Sequence, residues 1–269
     1  MANSAYTSGF NTDALFVAAK AATVFAAHEN SLFLTGGMIP VVNAPNGLLQ
    51  VPELAAITAT TLTAEATPGV DVDTVLPADT KNTIQCDLYA ARSVVRDLGN
   101  IDPSEIGRVL GNGVAKAFDT AVITALNGLT ASTSDADPVT VDALFDAAAQ
   151  IRGNGEMGQL MGILSTAEAA NLMKAIGTAA YGGGDFQSEA MRTGFLGQVA
   201  GIRLFQSSYI TGANKGFIFA GDAARIAMQR NVTMEVGRRP EAVGQDVVAS
   251  LMAGVDVIDA ARGVKLVNV

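Results

Sequence analysis

The sequence predicts an α+β fold organised around one long helix. Three observations carry the prediction. Helical and extended segments interleave without regular βαβ repetition, residues 102–128 hold a single apolar stripe over an unusually long run, and residues 31–80 break into short apolar pieces separated by turn signals.

Taken in order, residues 1–11 are small and polar and form an arm. A helix follows, capped at Asn11 or Thr12, with Leu15, Phe16, Ala19, Ala22, Phe25 and Ala26 on one side, ending near Asn30. Residues 1–30 are thus an N-terminal arm and helix. Residues 31–80 form an extended β ribbon: Ala44-Pro45-Asn46-Gly47 and Thr67-Pro68-Gly69 mark turns, and 57–64 is rich in threonine and β-branched residues. No lysine or arginine occurs between Lys20 and Lys81, whereas Glu53, Glu65, Asp71, Asp73 and Asp79 are acidic. An extended segment of one sign needs a basic neighbour. Residues 82–95 alternate, with Ile84, Cys86, Leu88 and Ala90 on one face and Gln85, Asp87 and Tyr89 on the other.

The long helix has a defined start. Asp102 is a preferred N-cap, Pro103 occupies the position where a missing N–H costs nothing, and Glu105 completes a capping-box-like spacing. Ile106, Val109, Leu110, Val114, Phe118, Val122 and Leu126 then recur at helical spacing, and Asn127-Gly128 predicts a left-handed exit. At 1.5 Å per residue the rod is roughly 38 Å long. Gly107 and Gly111, one turn apart, mark a close approach by another element, since each costs about 1 kcal/mol relative to alanine. The same spacing occurs in membrane helices, but Glu105, Arg108 and Lys116 exclude a span. Residues 81–135 therefore make one unit built on this spine.

After a small, polar loop at 130–138, a helix is expected over 141–152 with Thr140 as cap and Gly153 as stop. A buried strand follows at 160–164, and Ser165-Thr166-Ala167-Glu168 forms a capping box opening a helix to Ile176. A glycine-rich loop covers 181–185. Strands are expected at 195–207, with a bend at Gly201, and at 217–220. Two long β segments, 225–238 and 246–259, and a last strand at 264–267 close the chain.

Composition narrows the function. Charged residues make up only 16% of the 269 and hydrophobic ones 49%, against about 25% charged in ordinary soluble domains. So little charge implies a surface covered by copies of the chain or by partners. A net charge of −9 argues against gripping nucleic acid through phosphates. The run 15–27 is interrupted by Lys20, is too short to span a bilayer and has no basic residue before it, so neither an export signal nor membrane insertion is expected. One histidine and one cysteine, His28 and Cys86, cannot assemble a zinc site of nitrogen and sulfur ligands within the chain, and a serine triad would need His28 as base with no GxSxG elbow to present the nucleophile. Gly111-Asn112-Gly113 lies inside a helix with Lys116 where a dinucleotide fingerprint needs glycine, and Gly182-Gly183-Gly184 lacks the lysine of a phosphate loop. Asp71 and Asp73 read as a solvated turn. No catalytic, cofactor or metal residue is nominated.

The segment KNTIQCDLYAARSVVRDLGNIDPSEIGRVLGNGVAKAFDTAVITALNG resembles the passage from ribbon to spine in tailed-phage major capsid proteins of the Hong Kong 97 type. GILSTAEAANLMKAI, FLGQVAGIRLFQSSYI and GFIFAGDAARIAMQRNVTMEVGRR resemble later segments of that family in the same order. The likeness covers roughly 55–269. It implies a Hong Kong 97-like capsid fold with an N-terminal arm, an extended ribbon (the E-loop) lying over a neighbour, a peripheral domain carrying the spine, an axial domain at 136–222, and a return to the peripheral domain with the C-terminal strands at 223–269. It implies hexamers and pentamers of the chain closing an icosahedral head around DNA held without sequence-specific contacts. It further implies portal and scaffolding proteins, and a cement protein in some heads, as partners, and assembly in the host cytoplasm. An encapsulin-type compartment subunit is the alternative. Within this frame the acidic ribbon, through Glu65, Asp71 and Asp73, is expected to meet Arg92, Arg96, Arg238 and Arg239 of a neighbour.

Some members of the family weld their shells through a ribbon lysine, and this ribbon has none. Mature particles should therefore run as monomers on a denaturing gel; covalent ladders would contradict this.

Overall fold

The computed structural model describes residues 12–35, 37–54, 79–96, 102–133, 138–178, 195–199 and 201–267. The spine is helix α3 (Pro103–Leu126), opened by Asp102, whose carboxylate accepts from the Ser104 N–H at 2.9 Å. Beside it lies α1 (Thr12–Asn30). The two helices run parallel: Ala19 sits at Gly107, Thr23 at Gly111, and Ser31 at Asp119. A Cβ at Gly107 would collide with the Ala19 carbonyl oxygen, and one at Gly111 with that of Thr23. The glycines are what allow the two backbones to touch. Thr23 fits the seam, its hydroxyl 2.8 Å from the Ala19 carbonyl and 3.2 Å from the Met234 sulfur.

Both helices cover one face of a four-stranded sheet ordered β1 (Val41–Asn43), β10 (Ala224–Arg239), β11 (Gly244–Val257) and β4 (Asp87–Arg96). β1 pairs parallel with β10; the other pairs are antiparallel. Period-two alternation sends Val247, Ala249, Leu251 and Ala253 of β11 and Met234 of β10 into the core beneath α3, where Phe118 and Val122 are fully buried. Tyr89 of β4 meets Phe118 edge-on, ring centroids 5.8 Å apart. A short helix α2 (Leu32–Thr35) closes the corner after α1.

A six-stranded sheet runs β5 (Ala131–Thr133), β12 (Gly263–Val267), β9 (Asn214–Ala220), β6 (Leu160–Ser165), β8 (Ile202–Ser207), β7 (Phe195–Val199). On one face, α4 (Val141–Gly153) and α5 (Thr166–Thr178) bury a second core around Leu144, Ile151, Leu172 and Leu204. The other face, with Ile163, Phe217 and Phe219, joins the core under the spine. A hairpin of β2 (Leu48–Leu54) and β3 (Asp79–Gln85) stands apart, rooted over β10 through Ile84, Ala44 and Ala227. Residues 55–78, which hold about half of the expected ribbon, the arm 1–11 and the glycine-rich loop 181–185 lie outside the described residues. By length and composition Ser104–Leu126 could cross a membrane, but half of it is buried against α1 and the sheet, as in a core helix.

Several sequence expectations change. The α1 stripe is displaced: Ala19, Thr23, Ala26 and Ala27 are buried, whereas Phe25 is 67% exposed, because only small side chains permit contact with the glycine notches. Val109 likewise faces outward. The expected strand 82–95 is two strands broken at Cys86; Ile84 is buried, but beyond the break Tyr89 and Ala91 turn toward α3 and Leu88 is 59% exposed. Asn127 is right-handed, with φ −64°, and the spine ends through i to i−3 bonds, Asn127 to Thr124 and Gly128 to Ala125. Ser165 does cap α5, accepting from the Glu168 N–H at 3.3 Å, but the Glu168 carboxylate turns to the Val139 N–H at 3.0 Å. β5 and β12, which the sequence division leaves outside 136–222, complete the six-stranded sheet. Gly201, with φ +79°, makes the expected bend between β7 and β8.

The seam predicts opposite effects for neighbouring glycines. Gly107→Ala or Gly111→Ala should destabilise the subunit by about 1–3 kcal/mol through overpacking. Gly113→Ala, whose Cβ would lie 3.6 Å from that of Ala91, should be neutral or stabilising by up to about 1 kcal/mol. Denaturant unfolding of dissociated subunits measures both.

Candidate intersubunit surface

The face of the four-stranded sheet away from the helices carries the expected arginines. Pairing across the sheet sets Arg239, Gly244 and Arg96 in one row, Gly237, Asp246 and Val94 in the next on that face, and Glu235, Val248 and Arg92 in the next. Arg92, Arg96 and Arg239 therefore share a face at one end of the sheet. Arg238 pairs with Gln245 in an intervening row, so its side chain starts from the opposite face. Arg92 donates through Nε to Asp246 Oδ1 at 2.7 Å and through Nη2 to Oδ2, a fork-to-carboxylate pair. Its hydrogen bonds hold the Asp246 carboxyl below its usual range, with the charges of Arg92 and Arg239 adding to the effect. Arg92 and Arg239 thus both act on the Asp246 carboxylate, and Arg96 lies on the same face in the adjoining row.

The turn joining β10 to β11 borders this cluster. It is a 3-10 turn at Pro240–Ala242 followed by Val243 at φ 47°, a left-handed conformation that a β-branched residue adopts only under strain. Val243 is 61% exposed. Next to the arginines on the open face stand Leu88 and Val94, the latter 39% exposed. Glu65, Asp71 and Asp73, the expected acidic counterparts, lie outside the described residues.

Two buried carboxylates hold roles that the sequence does not assign them: it gives Asp119 none and Glu168 only a capping-box position. Asp119, 1% exposed on the α1 side of the spine, accepts from the Ser31 hydroxyl at 2.6 Å and from the Leu32 N–H at 2.9 Å, so the spine itself caps α2. Burial pushes its carboxyl above the ordinary range, against the pull of Ser31 and the Leu32 and Phe33 N–H groups. Its charge in turn raises the Tyr209 phenol, after the effect of burial. An acid one residue after Phe118 and three before Val122 sits inside the apolar stripe, and that placement was the available signal. Glu168 feels burial first, but the Val139 N–H, Lys215 and Asn171 together hold its carboxyl below the usual range. Lys215 lies 3.3 Å away. Both acids tie secondary elements together.

Between α3 and the β3–β4 junction runs an open groove of about 520 Å³ whose polar lining includes Asp87, Tyr89, Thr120, Thr124 and Asp256. Among the described residues no group of three histidine, cysteine or acidic side chains is placed to hold a metal ion.

This arrangement, a spine helix on a sheet with long returning strands and a second compact α/β unit, is a Hong Kong 97-type capsid fold. The chain belongs to the phage capsid protein family, whose model matches residues 94–266. The capsid structure of cyanophage P-SCSP1u is similar at a TM-score of 0.66 and 18% identity, covering 86% of each chain. The capsid of the native GTA particle is similar at 0.65 and 16%, covering 90% of each. A virus-like particle from Pyrococcus furiosus is similar at 0.63 and 16%, covering 92% of this chain and 97% of that one. No curated protein matches. The protein is a self-associating structural component of the virion, the major capsid protein of the head shell. The compartment alternative is not favoured, because the family match is to phage capsid protein and likeness at 16% identity carries the fold alone.

The raised Asp119 carboxyl fixes a pH dependence. With the folded value above the unfolded one, its favourable contribution is complete below the unfolded value and is lost as pH rises through the folded value. Asp119→Asn should flatten that part of the stability profile, which lies above the ordinary carboxylate range. Asp119→Ala, which orphans buried donors, should cost about 1–3 kcal/mol. Denaturation of dissociated subunits across pH reads both.

Proposed function

We propose that copies of this chain close an icosahedral head as hexamers and pentamers around DNA, and that the contact between neighbours runs through the cationic face of the four-stranded sheet. The observation that carries this is that Arg92, Arg96 and Arg239 share one face at one end of the sheet, in a chain whose segment 53–79 holds five acids and no base. In this reading the acidic ribbon of one subunit lies over the peripheral domain of the next, and Glu65, Asp71 and Asp73 meet Arg96 and Arg239. Arg92 contributes less, being engaged by its own Asp246. The spine and four-stranded sheet form the peripheral domain. Residues 136–222 form the axial domain, joined by β5 and β12.

The low charge of the chain supports an obligate assembly, since much of its surface is then covered in the shell. Its acidity supports enclosing DNA without gripping it. Portal and scaffolding proteins, and a cement protein in some heads, are the partners this role calls for, with assembly in the host cytoplasm. The role asks for no catalytic chemistry and no cofactor.

Negative-stain images of the expressed protein should show closed shells, and a solitary compact particle would contradict the reading. Exposed ion pairs contribute about 0–1 kcal/mol each, so only a repeated network matters. Glu65→Lys with Asp73→Lys should weaken assembly and reduce its salt sensitivity, and Arg96→Glu with Arg239→Glu should restore both. Unchanged assembly would remove the ribbon from this surface.

A further inference from the structure

An asparagine followed by glycine is open to attack on its side-chain amide carbon by the next backbone nitrogen, because glycine has no side chain to obstruct the approach. The chain holds four such pairs, Asn46-Gly47, Asn112-Gly113, Asn127-Gly128 and Asn154-Gly155. In three of them the asparagine side chain is held. Asn112, inside the spine, accepts from Asn30 Nδ2 at 2.7 Å. Asn127, at the end of the spine, accepts from Asn214 Nδ2 at 2.7 Å. Asn154 donates to the Ala261 carbonyl at 2.7 Å. Asn46 differs. It is exposed, and its side chain has no hydrogen-bond partner among the described residues.

Asn46 lies in the turn between β1 and β2, which the Gly47 N–H closes onto the Ala44 carbonyl at 2.9 Å. The same turn anchors the foot of the β2–β3 hairpin. The Gly47 carbonyl accepts from the Cys86 N–H at 2.9 Å, and the Pro45 carbonyl from Gln229 Nε2 at 3.3 Å. Gly47 has φ +73°, and Gln229 Oε1 stands 3.1 Å from the place its Cβ would take, so the turn has little room to rearrange.

We propose that Asn46 is a site of spontaneous deamidation whose product loosens the root of this hairpin. The Gly47 nitrogen gives its proton to solvent base and attacks Asn46 Cγ. The new C–N bond closes a succinimide, and the side-chain nitrogen leaves as ammonia. Water then adds to either ring carbonyl and a ring C–N bond breaks, giving aspartate or isoaspartate. At Asn46 only the Gly47 bond to Ala44 has to open first, whereas at the other three pairs a side-chain bond must break as well. Isoaspartate routes the chain through the former side chain and inserts one extra backbone carbon ahead of Gly47, which moves Gly47 off Ala44 and Cys86. Aspartate adds only a charge. The chemistry does not depend on the shell-forming role.

Peptide mapping of free wild-type subunits, incubated at mildly alkaline pH in heavy-oxygen water, tests the site. Each ring opening then carries a labelled oxygen, which separates conversion during incubation from conversion during digestion. Asn46 should convert at least about fivefold faster than Asn112, Asn127 or Asn154, the factor that one net side-chain hydrogen bond supplies, with isoaspartate as the main product. Any of the three converting as fast as Asn46 overturns the site, and so does an unchanged Asn46 while a synthetic peptide of residues 41–50 converts. Hydrogen exchange at the Gly47 and Cys86 amides reads the consequence. Both should speed up in aged wild type and stay slow in aged Asn46→Gln. Asn46→Asp supplies the charge without the extra carbon and should leave both amides protected. If it loosens them as ageing does, or if ageing loosens neither, the backbone mechanism is overturned.

Discussion

The half of the molecule built on the four-stranded sheet depends on how closely α1 can approach the spine. Two glycines one turn apart remove the side chains that would hold the helices at ordinary distance, and Ala19 and Thr23 occupy the space. Each glycine costs helix stability in isolation. The cost is offset only because the docked pair presents a continuous lid to the sheet, under which Phe118, Val122, Leu251 and Ala253 leave water together. Asp119 extends the same constraint beyond α1: the carboxylate that terminates the seam also caps α2, so the α1–α2 corner is tied directly to the spine.

The two sheets are not independent bodies. The face of the six-stranded sheet carrying Ile163, Phe217 and Phe219 continues the core beneath the spine, while α4 and α5 seal the other face. The four-stranded sheet is treated differently, with two helices on one side and, beyond the root of the β2–β3 hairpin, no covering element on the other among the described residues. An antiparallel sheet can leave one face to solvent, and here that face exposes Arg92, Leu88 and Val94.

Much of this was legible in the sequence because local chemistry and tertiary context agreed. The Asp102-Pro103 start of α3, Thr140 ahead of α4, and the two long closing strands all follow from caps, breakers and periodicity. The failures have physical causes. Phe25 was assigned to the buried side of α1 on hydrophobicity, but at a glycine seam size decides, and alanine displaces phenylalanine. The face of β4 was misjudged because the break at Cys86 resets which side chains meet the spine, and alternation carries no mark of such a break. Asp246, the partner of Arg92, could not be nominated, since 154 residues separate them and only the β11–β4 register brings them together. Arg238 and Arg239 are neighbours in one strand, and adjacency in a strand is what sends two side chains apart.

The long β10–β11 hairpin slips register twice, between Met228 and Arg230 and again between Arg230 and Thr233. One slip alone changes which residue numbers of β10 point inward beyond it. Two in succession cancel, which is why Ile226 before them and Met234 and Val236 after them all point to the same core. Each slip leaves one residue of β10 without a counterpart on β11, so deleting a single unpaired residue from 229–232 removes one bulge and keeps the pairs from Thr233↔Ser250 to Arg239↔Gly244, and with them the arginine end, in place. The strand thus carries two residues of slack between its fixed root and its fixed tip.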